Sequence, residues 1–273
     1  SGGTMITRGA VQAMVTGALG SGPVTLGEQT SLSFWNSASA QGLAITSHWM
    51  NGDNSDVNFN GTTTAGNASI ENAGYFHRVT FKDNSTAAQA DFNNRSGAAV
   101  VFQDTSTAHE AAIRNYSFGT TSFRDAASAG TARIDNGADG ITTFSGRSTA
   151  DGATITNSNG ARLLFEGNST AATATISSHG GTISFHGEAT ADGATIESYT
   201  STQTGRLDFY DSASAGTASI VNYNLSSISF AGNSTADQAT IVNYDGAKVD
   251  ISGLTSAGIA IGSLSGHGAV ELG

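Results

Sequence analysis

The chain has 273 residues, with 35 glycines, 1 proline, no cysteine and a formal net charge of −11. With Lys82 and Lys248 as its sole lysines, it disfavours nucleic acid and anionic membrane as partners, because binding polyphosphate needs clustered cations. The lack of cysteine removes disulfides and thiolate metal sites, and no run approaches the roughly 20 apolar residues of a membrane helix.

Residues 1–31 read as short β-compatible runs, Thr4-Met-Ile-Thr7, Gly9-Ala-Val-Gln-Ala13 and Val24-Thr-Leu26, divided by glycine. This predicts narrow solenoid coils. A short amphipathic capping helix over Met5 to Val15 is the alternative, against which Gly3, Gly9 and Gly17 stand at strand-length intervals.

From Leu32 to Ala260 one pattern recurs, with most steps about 21 residues long. Its marker is a phenylalanine column: Phe34, Phe59, Phe81, Phe102, Phe123, Phe144, Phe165, Phe185, Phe209 and Phe230, closed by Ile251. Two residues before each marker stands Leu, Val, Ile or Thr; six after, alanine without exception from Ala40 to Ala257. Eleven after come Ile45, Ile70, Phe92 and then isoleucine through Ile241. The offsets alternate within short segments, and period two means strands with one face inward. Three short strands per coil, with the same residue type at each step, describe an all-β parallel β-helix of roughly 11 to 13 coils. Residues 261–273 break the columns and read as a glycine-framed coil of a different kind, still within one continuous solenoid.

Turn chemistry keeps the same register. Two after the marker, glycine alternates with Asp83, Asp104, Asp125 and Asp211, residue types that tolerate positive φ. Thirteen after, asparagine dominates from Asn72 to Asn243; it is expected to take left-handed geometry and to pass amide hydrogen bonds from coil to coil. Insertions fall between this column and the next marker, the longest at residues 47–56 and 199–205.

Candidate sites lie where the copies differ. Tyr199, Tyr223 and Tyr244 follow the asparagine column on successive coils, with Tyr210 elsewhere, and would form an outward aromatic ladder. Such a ladder suits sugar-ring stacking or packing against a neighbouring rod; the simpler reading is coil-to-coil stabilisation. His48-Trp49-Met50 and Tyr75-Phe76-His77-Arg78 form a possible second contact surface, or cap the core. Asp83, Asp104 and Asp125 share one offset, a pattern open to Ca²⁺ binding or acid–base work on a glycan, though turn geometry also accounts for it. A serine and threonine column from Ser39 to Thr235 is explained by strand propensity, and the irregular outward neighbours Ala44, Asp91, Ala112, Arg133 and Thr154 disfavour a two-column ice-binding array. No Ser/His/Asp or phosphate-loop constellation occurs, and no cofactor is called for.

The N-terminal Gly-Gly-Thr4-x-Ile-Thr-x-Gly9-x-Val-Gln…Gly17-Ala-Leu-Gly-Ser-Gly-Pro-Val-Thr-Leu26 resembles the autotransporter-associated β-strand repeat of bacterial surface proteins. The Phe-x-x-x-Ser-Thr-Ala-x-x-Ala-x-Ile-x-Asn coils and the closing Gly262-Ser-Leu-Ser-Gly-His-Gly-Ala-Val-Glu-Leu-Gly273 are similar to coils of their passenger regions, so the likeness covers nearly the whole chain. The resemblance implies a right-handed β-helix secreted by the type V route and displayed on a Gram-negative cell surface. It also implies a C-terminal outer-membrane barrel beyond residue 273. The expected function is a surface stalk and adhesion or self-association module, whose partners are a host or neighbouring cell surface, glycans, or other copies. No catalytic residue of that family has a match here. The competing expectation is a carbohydrate-active β-helix, a polysaccharide lyase or glycoside hydrolase; ice binding comes third.

Overall fold

The computed structural model describes residues 2–47, 54–158, 160–199 and 205–273. Among these the chain forms 26 β-strands and no helix, so no helix is long and apolar enough to cross a membrane. Strands alternate between two parallel sheets, one strand of each coil in either sheet, which makes the chain a parallel β-solenoid. It divides into two compact units, Ser1–Ile134 and Asp135–Gly273.

In the first unit the phenylalanine strands Thr30–Phe34, Ser55–Phe59, Arg78–Phe81, Ala99–Phe102 and Thr120–Phe123 pair in turn, each Phe opposite the next. The rings stack face to face at 4.8, 4.5, 4.8 and 4.8 Å. Free aromatic rings prefer an offset or an edge-to-face approach. Here the backbone register holds each ring above the last at the strand spacing of about 4.8 Å, and burial outweighs the imperfect ring geometry at about 2–3 kcal/mol per side chain. Phe92, which stands in the isoleucine column, meets Phe81 edge-on instead, at 5.9 Å and 81°. The second unit repeats the ladder from Phe144 to Phe230, with steps of 4.9, 4.6, 4.9 and 4.9 Å.

The other sheet carries the isoleucines. Its first-unit strands include Ala44–Ser47, Ser69–Ala73, Asp91–Arg95 and Ala112–Asn115; those of the second include Thr154–Ser158, Thr175–His179, Thr195–Tyr199, Ser219–Asn222 and Thr240–Asn243. Ile113, Ile155, Ile176, Ile196 and Ile220 are all fully buried. The alanine column is buried as well from Ala40 to Ala236, where no larger side chain fits between the walls, whereas Ala257, past the last phenylalanine, is exposed.

The third side of the coil is a single-residue bridge. Thr64↔Thr86 and Thr86↔Thr107 in the first unit, and Thr149↔Thr170 and Thr170↔Thr190 in the second, are isolated parallel bridges. The chain cannot extend this side into a strand because it turns left-handed two residues on, at Ala88 (φ 52) and Ala172 (φ 50). Thr86 and Thr170 secure those turns: their hydroxyls accept the Ala88 and Ala172 N–H at 3.0 and 2.8 Å. The hydroxyl column is therefore a turn device.

The asparagine column transmits hydrogen bonds as expected, but without left-handed backbone. Asn72 donates to Asn94 at 2.9 Å and Asn94 to Asn115 at 3.0 Å, all buried within strands and none at positive φ. Each amide has a second bond to spend. Asn72 also donates to the Ala99 carbonyl, and Asn222 likewise donates to Asn243 and to the Lys248 carbonyl. The inward amide thus ties the end of one strand to the start of a strand in the other sheet, which requires extended backbone.

At the start of the chain, Thr4–Ile6 pairs with Val24–Leu26 and Gly9–Ala13 pairs with Thr30–Phe34. Those ladders replace the capping helix, because each short run gains a strand partner. Near the end, the register shifts between Ser229 and Ala231, and Ile251 leaves the column half-exposed. Beyond that bulge Leu264 and Val270 stay opposite Ile241 and Val249, although both are exposed.

Candidate functional site

The second unit builds the most regular outward surface from one strand pattern. In Thr154–Ser158 and its successors, isoleucine and the Asn or Ser two residues on point inward, so the residues between them point out. Register places Thr154, Thr175, Thr195, Ser219, Thr240 and Ser263 side by side, all exposed. Next to this hydroxyl ladder runs a half-buried row of Thr156, Ser177, Glu197, Val221 and Val242. The column from Ser39 to Thr235 lies on another side of the coil, so the sequence reading missed this ladder. Its signal was the unbroken hydroxyl run from Thr154 onward, diluted by the mixed residues of the first unit.

Where these strands end, an aromatic stripe begins. Tyr223 and Tyr244 are stacked, with centroids 5.1 Å apart and planes at 9°, and are 37% and 46% exposed. Tyr199 stands at 87° to Tyr223, 5.9 Å away. The structure also adds His179 to this group. Its ring lies 4.3 Å from that of Tyr199, and the Tyr199 hydroxyl is 2.6 Å from His179 Nε2. His179 occupies the column position one coil before Tyr199, which is the signal a search for tyrosine alone passes over. Desolvation by its neighbours, followed by the Glu197 carboxylate and the other two phenols, raises the Tyr223 pKa above the ordinary tyrosine value.

Tyr210 belongs to the other sheet, following Phe209, and stacks on His186 at 4.8 Å and 18°. His186 Nδ1 is 3.9 Å from the Asp211 carboxylate. The strand that leads into Tyr210, Arg206–Phe209, carries the Arg206–Asp208 pair, with Asp208 buried and the guanidinium bonding it at 3.1 and 3.2 Å. Those bonds, helped by Tyr210, raise the pKa of Arg206.

The first unit has a different exterior. Arg95 pairs with Glu71 at 2.5 Å, Asn93 donates to Glu71, and Arg114 pairs with Asp91. Tyr75 and Phe76 are exposed, whereas His77 is buried. Trp49, with His48 and Met50, lies outside the described residues.

Asp83, Asp104 and Asp125 do form a ladder, at φ 55, 58 and 56. Their carboxylates are occupied by backbone: Asp83 accepts the Gly61 N–H at 2.8 Å, Asp104 that of Asp83 at 3.0 Å, and Asp125 that of Asp104 at 3.1 Å. In the second unit Asp211 accepts the Gly187 N–H in the same way, at 2.9 Å. One oxygen of each carboxylate closes the turn of the preceding coil, which accounts for aspartate at this offset. Among the described residues no group of three His, Asp or Glu side chains is arranged to hold a metal ion.

No family model matches this chain, and neither a curated protein nor a solved structure matches it.

Proposed function

We propose that the chain is a cell-surface module of an autotransporter-like protein that supports adhesion or self-association through many weak contacts along the solenoid. The observation that carries this reading is the second unit's exterior, where one hydroxyl ladder and one aromatic stripe repeat in register from coil to coil. A repeated exterior raises avidity, since each further contact forms at high effective concentration once the first is made. Tyr223 and Tyr244 use the faces they turn to one another for stacking, so a sugar ring cannot insert between them. Contact by ring edges, phenol oxygens and the Thr154–Thr240 hydroxyls fits a glycan-coated surface or a second copy.

Sedimentation and host-cell adhesion of bacteria displaying this chain, compared with bacteria displaying none, test the reading. Faster settling or increased attachment is the expected result; no difference in either assay removes it.

The same hydroxyl ladder favours ice binding as a second reading, because hydroxyls repeat at the strand spacing. The adjacent row, interrupted by Glu197 and followed by Val221 and Val242, limits the array to one column. Measurable thermal hysteresis that is abolished in Thr175→Val/Thr195→Val chains would favour this reading over adhesion.

A further inference from the structure

We propose that Tyr199, Tyr223 and Tyr244 form an oxidative coupling site, at which a peroxidase-type one-electron oxidant supplied with hydrogen peroxide joins Tyr223 to Tyr244 as a dityrosine between adjacent coils. Three observations carry this inference. Asn222 pairs with Asn243 in register, and the following tyrosines stand parallel and stacked at 5.1 Å, so two phenols are held together without an encounter step. Both are exposed to a large oxidant. Tyr199 is half-buried and, with His179 protonated on Nδ1, its hydroxyl donates to Nε2 across 2.6 Å, so the base needed when a phenol loses an electron is in place. Tyr199 is 5.9 Å from Tyr223, within ring-to-ring reach.

The chemistry balances. When an electron leaves Tyr199, its phenolic proton moves to His179. Tyr223 then returns an electron to Tyr199 and releases its own proton to water, while His179 gives its proton back; the radical now resides on Tyr223. A second one-electron oxidation, with loss of the phenolic proton, makes a radical of Tyr244. A carbon–carbon bond forms between the ring positions beside the two oxygens, and each joined carbon passes its hydrogen as a proton to its own ring oxygen, which restores both phenols and the aromaticity of both rings. In total two phenols lose two electrons and two protons, and one hydrogen peroxide takes up both to become two waters. The product is a covalent staple across one step of the ladder, suited to a surface protein exposed to oxidants and independent of whether the module adheres.

The test treats the dilute intact chain with a haem peroxidase and hydrogen peroxide, isolates monomer under denaturing conditions, and reads dityrosine fluorescence and the cross-linked peptides by mass spectrometry. The expected result is a Tyr223–Tyr244 cross-link within one chain and a raised melting temperature. The monomer signal should be lost in Tyr223→Phe and Tyr244→Phe, and kept in Tyr116→Phe, which alters an exposed tyrosine of the first unit. A cross-link confined to other tyrosines or to dimers, or none while free tyrosine in the same mixture couples, overturns the proposal. His179→Gln keeps a hydrogen-bond acceptor but removes the base. It should slow the initial coupling rate several-fold with the same product, and an unchanged rate overturns the role assigned to His179.

Discussion

The two units share an interior and differ outside. Phe59, Phe81 and Phe102 in one stack as Phe165, Phe185 and Phe209 do in the other, and amide-to-amide bonds recur at Asn72–Asn94 and Asn222–Asn243. Outside, the first unit places Glu71, Arg95, Asp91 and Arg114 in ion pairs, where the second has a plain hydroxyl ladder ending in His179 and tyrosines. The interior answers to one constraint, that each side chain sit on its copy one coil away. The exterior answers to none of that kind, so it can differ from unit to unit and is where function is to be sought.

The sharpest way to break the comparison is to cut the same inner column in each unit. Phe102→Ala and Phe165→Ala are each expected to cost about 3–5 kcal/mol in equilibrium denaturation, while Thr175→Ala changes stability by no more than about 0.5 kcal/mol. Unequal costs for the two phenylalanines would show that the interiors are not equivalent.

Removing one amide tests the second shared column. Asn94→Ala and Asn222→Ala should each lose about 1–3 kcal/mol, because buried partners are left without their bonds. Urea midpoints of the two variants should shift alike.

The aspartate ladder supplies a smaller, directional test. At φ 58, Asp104→Ala keeps a Cβ in left-handed backbone, which costs about 1–2 kcal/mol relative to glycine, and gives up the bond to the Asp83 N–H. Asp104→Gly gives up only the bond and should be the milder change by melting temperature. Added calcium should shift neither variant nor the parent; calcium-dependent stabilisation of the parent alone would restore the metal reading.

The smallest effects have opposite signs in the two units. Burial, partly offset by Arg78 and His77, raises the Asp56 pKa, so the folded state holds that proton more tightly than the unfolded chain. Asp56 therefore costs stability at neutral pH and costs less as pH falls through its raised pKa toward the unfolded value of about 3.9. Asp250 is the reverse: bonds from the Ser252 hydroxyl and Lys248 lower its pKa. Its contribution is present above about pH 3.9, is lost as pH falls through the depressed pKa, and stays below about 1 kcal/mol because its partner Lys248 is solvent-exposed. Melting curves against pH should show Asp56→Asn stabilising and Asp250→Asn slightly destabilising at neutral pH.

How much of this was legible in the sequence follows from what repeats. The phenylalanine, isoleucine and alanine columns gave the coil and its register, because a buried position stacked on its own copy admits few residue types. The asparagine column disclosed its hydrogen bonds but not its backbone, since an inward amide and a left-handed corner use the same residue. The third side read as a strand because period two cannot tell a strand from one bridged residue followed by a left-handed turn. The tyrosines were legible as a column, whereas their angles to each other and the partnership with His179 depend on side-chain rotamers that spacing does not encode. Trp49 lies in a segment without columns and outside the described residues.

The central claim, that contact resides in the second unit's exterior while the shared interior only supports it, is tested most directly by cell aggregation with two variants of equal melting temperature. One replaces Tyr199, Tyr223 and Tyr244 with alanine, and the other replaces Glu71 and Arg95 with glutamine. Aggregation lost in the first and kept in the second is the predicted result. Aggregation kept in the tyrosine variant, or lost in the Glu71/Arg95 variant alone, would contradict the account.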